Sequence, residues 1–231
     1  MARREEPREL RFNEQFARIG KALGSPKRIE ILQVLCQGER SVEALAQATG
    51  TGLANTSGHL QVLRRSGLVE TRKEGTKVFY SLADDDVARF FISLRELARS
   101  RLAEVEMLLS AFREDPQSGG TMTSDEVLEQ VQAGTAQVVD VRPTEEFEAG
   151  HIWGAVSIPL DDLGEQAGAL SKSKQVVVYS RGPYCPLAFE AAGILSEAGV
   201  KASRLDGGFP EWRLEGKPIV IREAERAQTE L

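Results

Sequence analysis

The feature that most constrains the fold is a short apolar run that ends in a loop containing glycine and proline. Residues 176–179 are apolar and β-branched except for the terminal tyrosine, and a helix-forming run over residues 187–198 follows the loop. This pattern is typical of a buried strand that leads into a helix N-terminus. Backbone N–H groups and the helix dipole favour an anion or a thiolate at such a place. We therefore expect an anion-binding or sulfur-binding site in this loop.

The loop residues themselves carry the candidate chemistry. Ser180 lies at the strand end, where a nucleophile would lie, and Cys185 lies close to the helix start, whose dipole favours a thiolate. Cys185 is either a reactive thiol, acting as a resolving thiol or a sensor, or a buried residue that packs beneath the loop. The candidate catalytic or ligand-binding residues are Ser180, Arg181, Gly182, Tyr184 and Cys185.

Length and composition indicate a two-domain globular protein. A chain of 231 residues is long enough for two domains of about a hundred residues each. Its two cysteines do not indicate a disulfide framework, and no apolar run approaches the ~20 residues that span a bilayer. The N-terminus leads into no apolar segment, so we expect no signal peptide, no contact with a membrane and a cytoplasmic location.

The two halves of the chain differ in charge. Residues 1–115 carry 19 basic and 17 acidic side chains, whereas residues 116–231 carry 10 and 18. Only the first half therefore favours a polyanion, and residues 53–80 hold a local basic excess. Charge alone leaves nucleic-acid binding open, because a small basic excess is common on solvated surfaces.

The first half is predicted to be mainly helical with one β-hairpin. Ser25 and Ser41 are predicted helix N-caps, with Pro26 at the first helical position. Two short helices followed by a basic hairpin indicate a winged helix-turn-helix, whose second helix enters the major groove of DNA. The predicted helices span residues 10–23, 26–38, 41–50, 55–65 and 84–112, and the predicted strands span residues 68–72 and 77–82.

The polar side of the second short helix and the hairpin supply the candidate DNA contacts. Hydroxyl, amide and imidazole groups suit base edges and phosphates, and basic side chains suit phosphates. Leu60 and Leu63 are expected on the buried side of the same helix. The candidate DNA-binding residues are Asn55, Thr56, Ser57, His59, Arg64, Arg65, Arg72, Lys73 and Lys77.

The second half alternates strands with helices, which indicates an α/β domain on a mostly parallel sheet. We expect domains over residues 1–114 and 123–231, joined by a linker over residues 115–122. The predicted helices span residues 124–132, 144–149, 161–170 and 187–198, and the predicted strands span residues 137–141, 155–158, 175–179 and 202–205, before a turn over residues 209–214.

Two segments of the first half resemble the ArsR/SmtB family of bacterial winged-helix repressors. They are residues 22–32 and 57–69, with Arg72, Gly75 and residues 80–82 of the hairpin. The resemblance implies a homodimer joined through helices 10–23 and 84–112, which represses transcription at an imperfect palindrome of double-stranded operator DNA and releases it when an inducer binds. Gly58 departs from the larger polar or basic residue that is common at its position in the family.

The metal sites of that family do not match this sequence. Residues 41–46, where thiolate-site members carry Cys-x-Cys, hold no cysteine, and helix 84–112 holds no histidine. The carboxylates at 84–86 are expected to cap the helix, and Cys36 is expected to be a core residue. We therefore expect no metal and no cofactor.

Residues 138–155 resemble the opening motif of the rhodanese family, and residues 206–212 resemble its closing motif. The resemblance implies that Asp140 and Arg142 hold the strand end and that His151 is structural. Rhodaneses carry sulfane sulfur as a persulfide on a cysteine at the position that Ser180 occupies here. Ser180 is either natural, which leaves an anion-binding loop without turnover, or an engineered replacement of a cysteine.

Three functions follow from these features. The first is a homodimeric DNA-binding repressor whose rhodanese-like domain senses or handles reactive sulfur or a thiophilic oxyanion. The second is an enzyme tethered to a DNA-binding domain, either a thiosulfate or persulfide sulfurtransferase or an arsenate reductase-like thiol enzyme, which is inactive with serine at position 180. The third is a plain repressor with an inert second domain.

Overall fold

The computed structural model describes residues 8–113, 119–171 and 173–221. These residues pack as two compact units, which divide between Val87 and Ala88. The predicted division into domains 1–114 and 123–231 stays a prediction, and residues 114–118 of the predicted linker lie outside the described residues.

The first unit is a small helical bundle that carries a three-stranded antiparallel sheet. Its core is formed by aliphatic side chains such as Leu32, Leu45 and Leu63, all almost fully buried. Its elements are α1 (Arg8–Leu23), α2 (Pro26–Leu35), β1 (Arg40–Ser41), α3 (Val42–Ala48), α4 (Leu53–Arg65), β2 (Val69–Glu74) and β3 (Lys77–Leu82).

Helices α2 and α3 of the first unit begin at the predicted N-cap residues. The Ser41 side chain accepts a hydrogen bond from the backbone N–H of Ala44 at 3.2 Å, so Ser41 caps α3 as predicted. Pro26 occupies the first turn of α2, but the Ser25 side chain makes no cap hydrogen bond. Ser25 is nevertheless the N-cap residue of α2, as predicted.

The predicted hairpin is confirmed as β2 and β3. The two strands pair antiparallel from Val69 opposite Leu82 to Glu74 opposite Lys77, and Gly75 turns the chain with φ of 58°. The short strand β1, which the sequence analysis did not predict, pairs with the other edge of β3. A strand of two residues is too short to show an alternating pattern.

The predicted helix over residues 84–112 is two helices, α5 (Asp85–Arg101) and α6 (Ala103–Arg113), interrupted at Leu102. The Asp84 side chain accepts a hydrogen bond from the backbone N–H of Val87 at 3.0 Å, as its predicted capping role requires. Neither glycine nor proline lies near the break, so residue types alone could not predict it.

The second unit is built on a five-stranded sheet in the order β4–β9–β8–β5–β7, in which every pairing is parallel. A separate antiparallel pair joins β6 and β10. The strands are β4 (Gly120–Met122), β5 (Ala136–Asp140), β6 (His151–Ile152), β7 (Val156–Ser157), β8 (Gln175–Tyr179), β9 (Ala202–Leu205) and β10 (Ile219–Val220). The helices after α6 are α7 (Ser124–Gln132), α8 (Thr144–Ala149), α9 (Leu160–Gln166) with a 3₁₀ turn (Ala167–Ala169), α10 (Pro186–Glu197) and α11 (Phe209–Leu214).

Two predictions for this unit need correction. Residues 120–122 of the predicted linker form an edge strand paired with β9, because the chain joins the sheet as soon as it enters the second unit. The predicted turn over residues 209–214 is the helix α11, with Pro210 in its first turn.

The central strand β8 separates two hydrophobic cores. Val176 and Val178 pack into one core with helices α9 and α10, whereas Val177 and Tyr179 pack into the other with Phe209 and Trp212. This alternation follows from the period of two in a strand with both faces covered. The strand end at Tyr179 is therefore fixed from both sides of the sheet.

Within residues 8–113, 119–171 and 173–221, no helix combines the length and apolar character needed to cross a membrane. Cys36 and Cys185 are both buried and form no disulfide.

Candidate functional site

The first candidate site is the outer surface of α4 and the hairpin β2–β3. Helix α4 is anchored by Leu60 and Leu63, which are fully buried. At about 100° per residue, the side of α4 opposite these leucines carries Gly58 and Arg65, and both are exposed. Helix α4 is tied to the hairpin by the Gln61 side-chain amide, which donates to the Tyr80 hydroxyl at 3.4 Å.

Most of the predicted DNA contacts are accessible, but Thr56 is not. Thr56 is fully buried, and its hydroxyl donates to the backbone carbonyl of Gly52 at 3.2 Å. Its prediction as a groove-facing residue was wrong because Thr56 shares the helix side of Leu60 and Leu63. Ser57 and His59 are half-buried, and the exposed residues are Asn55, Arg64, Arg65, Arg72, Lys73 and Lys77.

Arg72 differs from the other basic residues of the hairpin. Its guanidinium contacts Glu39 at 2.6 Å and Glu74 at 2.7 Å. Hydrogen bonds to Glu39 and then Glu74 raise the pKa of Arg72 above its ordinary value. A phosphate would have to compete with these two carboxylates, so Lys73 and Lys77 are the less encumbered cations of the hairpin.

The second candidate site is the loop from Ser180 to Cys185, between the end of β8 and the start of α10. The backbone N–H of Cys185 donates to the carbonyl of Gly182 at 3.1 Å and closes a turn. Gly182 has φ of 141°, which an L side chain rarely adopts. Cys185 is the N-cap residue of α10, and Pro186 occupies the first turn. The predicted strand, loop and helix thus meet as expected.

The two candidate reactive residues of the loop are both buried. Ser180 is 0% exposed, and its Oγ has no hydrogen-bond partner among the residues that the structure describes. Cys185 is 4% exposed, and its side chain makes no cap hydrogen bond to α10. A buried hydroxyl without a partner costs about 1–3 kcal/mol, so the Ser180 position is unusual for a purely structural serine.

The Arg181 guanidinium is already ion-paired and is therefore not readily available to bind an anion. Its guanidinium contacts the buried carboxylate of Glu146 on α8, with Nε at 3.0 Å and Nη2 at 2.5 Å from Oε1. Burial is the largest single influence and lowers the pKa of Arg181, but the hydrogen bond to Glu146 and the charge of that carboxylate act together to raise the pKa overall. Sequence reasoning missed Glu146, since no local pattern links positions 35 residues apart.

Helix α11 supports the loop from one side. The backbone N–H of Phe209 donates to the carbonyl of Ser180 at 3.2 Å. A Cβ at Gly208 would lie 2.3 Å from the backbone N of Gly182, so only glycine fits there. Gly208 therefore lets the start of α11 approach the backbone of the loop closely.

Helix α5 reaches the same loop. The Arg95 guanidinium contacts Glu211 of α11 at 2.6 Å and lies 5.2 Å from the centre of the Tyr184 ring. Tyr184 is half-buried; burial raises its pKa, and the charges of Arg95 and Arg99 oppose this rise. Arg95 and Glu211 were not among the predicted site residues, because they lie 116 positions apart and neither belongs to the loop.

Asp140 and Arg142 hold the strand end beside the loop, as predicted. Arg142 donates to Asp140 from Nε at 2.9 Å and to the carbonyl of Gly150 from Nη2 at 2.8 Å. The Tyr179 hydroxyl donates to Asp140 at 2.5 Å and accepts from the backbone N–H of Ile152. Burial raises the pKa of Tyr179 well above its ordinary value.

His151 is placed as a structural residue. Its ring stacks on Phe147 at 3.7 Å between centres, and its Nδ1 lies 2.9 Å from the Phe147 carbonyl. No group of three or more His, Cys, Asp or Glu side chains in the part of the chain that the structure describes is arranged to hold a metal ion.

Both units match known family models. Residues 25–71 match the bacterial regulatory protein family arsR, and residues 123–215 match the rhodanese-like domain. The first of these segments contains α3, α4 and part of the hairpin, and the second contains the loop 180–185. The fold is therefore a winged helix-turn-helix followed by an α/β rhodanese-like domain.

Two transcriptional regulators are similar to this chain, one over most of its length and the other over a shorter part. The HTH-type transcriptional regulator Rv0324 of Mycobacterium tuberculosis is 43% identical over 212 residues, which cover 92% of this chain and 93% of Rv0324. The regulator CmtR of the same species is 42% identical over 88 residues, which cover 38% of this chain and 72% of CmtR. The chain belongs to the ArsR family of HTH-type transcriptional regulators and carries a C-terminal rhodanese-like domain.

Among solved structures, the homodimeric winged helix-turn-helix DNA-binding domain of Mb0332 from Mycobacterium bovis is 46% identical. It covers 44% of this chain and 94% of its own length, with a TM-score of 0.40.

Proposed function

We propose that this chain is a homodimeric repressor that binds operator DNA through α4 and the hairpin β2–β3, and whose loop 180–185 binds reactive sulfur or a thiophilic oxyanion. The observation that carries the sulfur part is the buried Ser180 Oγ, which has no partner among the described residues. It lies at the position of the rhodanese nucleophile, in a loop that ends at the N-cap of α10.

The proposed dimer rests on exposed apolar side chains of the helices predicted to join two copies. On α1, Phe12 and Phe16 are 64% and 69% exposed. Helices α5 and α6 also expose large apolar side chains, among them Leu97 and Met107. Exposed apolar side chains of this size favour burial against a second copy.

In the proposed sulfur chemistry, Cys185 is the acceptor of sulfane sulfur. Its thiolate would attack a sulfur atom of a polysulfide, form a new S–S bond and expel the shortened polysulfide with the electron pair of the bond that breaks. Ser180 cannot take this role because a serine hydroxyl needs a neighbouring base to become nucleophilic. Turnover as a sulfurtransferase is therefore not part of the proposal.

The DNA part of the proposal is tested with Arg65, on the side of α4 opposite its buried leucines. Removing one phosphate contact per protomer in Arg65→Ala is expected to weaken DNA binding about 10- to 30-fold, because each exposed charge pair contributes about 1 kcal/mol. The slope of log affinity against log salt should fall by about 2 per dimer. Fluorescence anisotropy with a duplex selected by the full chain from a random pool measures both quantities.

The matched control is Lys201→Ala, which removes an exposed positive charge from the second unit. Equal losses of affinity and slope in the Arg65 and Lys201 variants would mean that only net charge matters, and the assignment of α4 would fail.

The sulfur part is tested by whether a polysulfide changes the DNA affinity of the full chain while it adds sulfur to Cys185. An unchanged affinity after sulfur has been added would favour a plain repressor with an inert second domain.

A further inference from the structure

Helix α5 holds α11 at two places. The Arg95 guanidinium contacts the Glu211 carboxylate at 2.6 Å, and the Arg89 guanidinium donates to the backbone carbonyl of Leu214 at 3.3 Å. The Arg95 and Glu211 side chains are only 14% and 17% exposed. This ion pair is therefore shielded from water, unlike the pair of Arg99 with Glu106 on the following turns, where both side chains are more than 40% exposed.

The ion pair lies against the backbone of the candidate sulfur loop. A Cβ placed on Gly182 would lie 3.3 Å from Oε1 of Glu211 and 3.4 Å from Nη2 of Arg95. The guanidinium also lies over the Tyr184 ring. A ligand in the loop at Gly182 would thus be within reach of the Arg95 charge.

Three buried polar atoms of the loop, α5 and α11 have no hydrogen-bond partner among the described residues: Ser180 Oγ, Arg95 Nε and Glu211 Oε2. Buried polar groups are rarely left in this state, and each costs about 1–3 kcal/mol. Two of the three carry N–H or O–H donors that suit an oxyanion. The third atom, Glu211 Oε2, belongs to the carboxylate that is ion-paired with Arg95.

We propose that Arg95 of α5 is a ligand-recognition residue of the loop 180–185. An anion of the sulfane-sulfur or sulfur-oxyanion class binds there and replaces Glu211 as the ion-pair partner of the Arg95 guanidinium. The inference rests on the proposed function, since it names the residue that recognises the ligand of that site. Arg95 lies outside the segment that matches the rhodanese-like domain, so the loop site is completed by a helix that precedes that domain.

The exchange does not leave Glu211 as a buried unpaired charge. Burial raises the pKa of Glu211 above its ordinary value, although the charge of Arg95 and the backbone N–H groups of Glu211 and Gly208 oppose this rise. A carboxyl group with a raised pKa accepts a proton readily when its cation is withdrawn. Entry of the anion is therefore coupled to neutralisation of Glu211.

Helix α5 is also the covalent continuation of the DNA-binding hairpin. Only two residues separate the end of β3 at Leu82 from the start of α5 at Asp85. The helix that carries Arg95 is thus the element that directly follows the hairpin in the chain, and a ligand that binds Arg95 acts on this helix.

The test is the affinity of the full chain for thiosulfate, with sulfate as an oxyanion that lacks sulfane sulfur, measured by titration calorimetry. Arg95→Gln is expected to weaken thiosulfate binding about tenfold or more, since it removes a charge-assisted contact. Glu211→Gln is expected to tighten it about tenfold, because the competing carboxylate becomes neutral. Arg99→Gln, which removes the same charge one turn along α5, should change it by less than about twofold.

Glu211→Gln distinguishes recognition of the anion by Arg95 from a purely structural role of the ion pair. An ion pair that only stabilises the loop would make both Arg95→Gln and Glu211→Gln weaken binding, and this result would overturn the proposal. So would equal losses in the Arg95 and Arg99 variants, or the absence of thiosulfate and sulfate binding by the unaltered chain. The fluorescence of buried Trp212 checks that each variant is folded.

The role of Arg95 and the proposed sulfur sensing can be contradicted independently of each other. Anion binding that depends on Arg95 without any effect of polysulfide on DNA affinity would support the role of Arg95 and contradict sulfur sensing. A polysulfide response that is identical in the unaltered chain and in Arg95→Gln would support sulfur sensing and contradict the role of Arg95.

Discussion

Ser180→Cys is expected to convert the chain into a sulfurtransferase that forms thiocyanate at least about 10³-fold faster than the unaltered protein. A cysteine thiol has an ordinary pKa near 8.5 and supplies thiolate at neutral pH, whereas a serine hydroxyl without a base does not ionise. The thiolate would attack the outer sulfur of thiosulfate and release sulfite with the electron pair of the broken S–S bond. Cyanide would then remove that sulfur as thiocyanate and restore the thiolate.

The fold of the loop favours this gain of activity. Ser180 already lies at the end of a strand that is buried on both faces, and α11 and Gly208 fix its backbone. The side-chain change from serine to cysteine is nearly isosteric, so little rearrangement is required. Thiocyanate formation by the two proteins measures the effect.

The control for this prediction is Ser180→Cys combined with Cys185→Ser. Activity that persists in the double variant assigns the sulfur carrier to position 180. Equal thiocyanate formation by the unaltered chain and by Ser180→Cys would show that position 180 is not the reacting position.

Arg142→Ala is expected to remove about 3–5 kcal/mol from the free energy of unfolding of the second unit. The change leaves Asp140 as a buried carboxylate without its cation and leaves the Gly150 carbonyl without its donor. Small domains are stable by about 5–15 kcal/mol in total, so the loss would leave the unit close to unfolding. The Arg142 guanidinium also lies 4.6 Å from the centre of the Phe209 ring, and this contact would be lost.

Urea unfolding followed by tryptophan fluorescence measures this loss, because both tryptophans, Trp153 and Trp212, belong to the second unit. Arg142→Lys, which keeps the charge without the planar fork, is expected to lie between the alanine variant and the unaltered chain. Lys201→Ala should stay within about 0.5 kcal/mol of the unaltered chain. A loss below about 1 kcal/mol for Arg142→Ala would contradict the assigned role of this pair.

The local parts of the structure were predictable from the sequence. Helix α7 and strand β8 have the predicted limits, because a capping box with Thr123 and Glu126 and a β-branched run are local signals. The winged helix-turn-helix followed from the order of its elements. The rhodanese-like fold followed from a resemblance over two motifs and from the alternation of strands and helices.

Features that depend on packing were not predictable in the same way. The burial of Thr56 depends on which side of α4 meets the core, and the break at Leu102 has no glycine or proline to mark it. The contacts of Arg181 with Glu146 and of Arg95 with Glu211 join distant positions, so only the fold brings them together. Both arginines are ion-paired, and Arg95 is the one that lies against Gly182.

Sulfur chemistry at the loop is expected to control DNA binding, and the affinity of the full chain for its selected duplex with and without a polysulfide measures this control. Intact and peptide masses recorded on the same samples locate any added sulfur. We expect a change in affinity of about tenfold or more that accompanies sulfur on Cys185 and is absent in Cys185→Ser. An unchanged affinity with sulfur on Cys185, or an equal change in the Cys185→Ser variant, would contradict it.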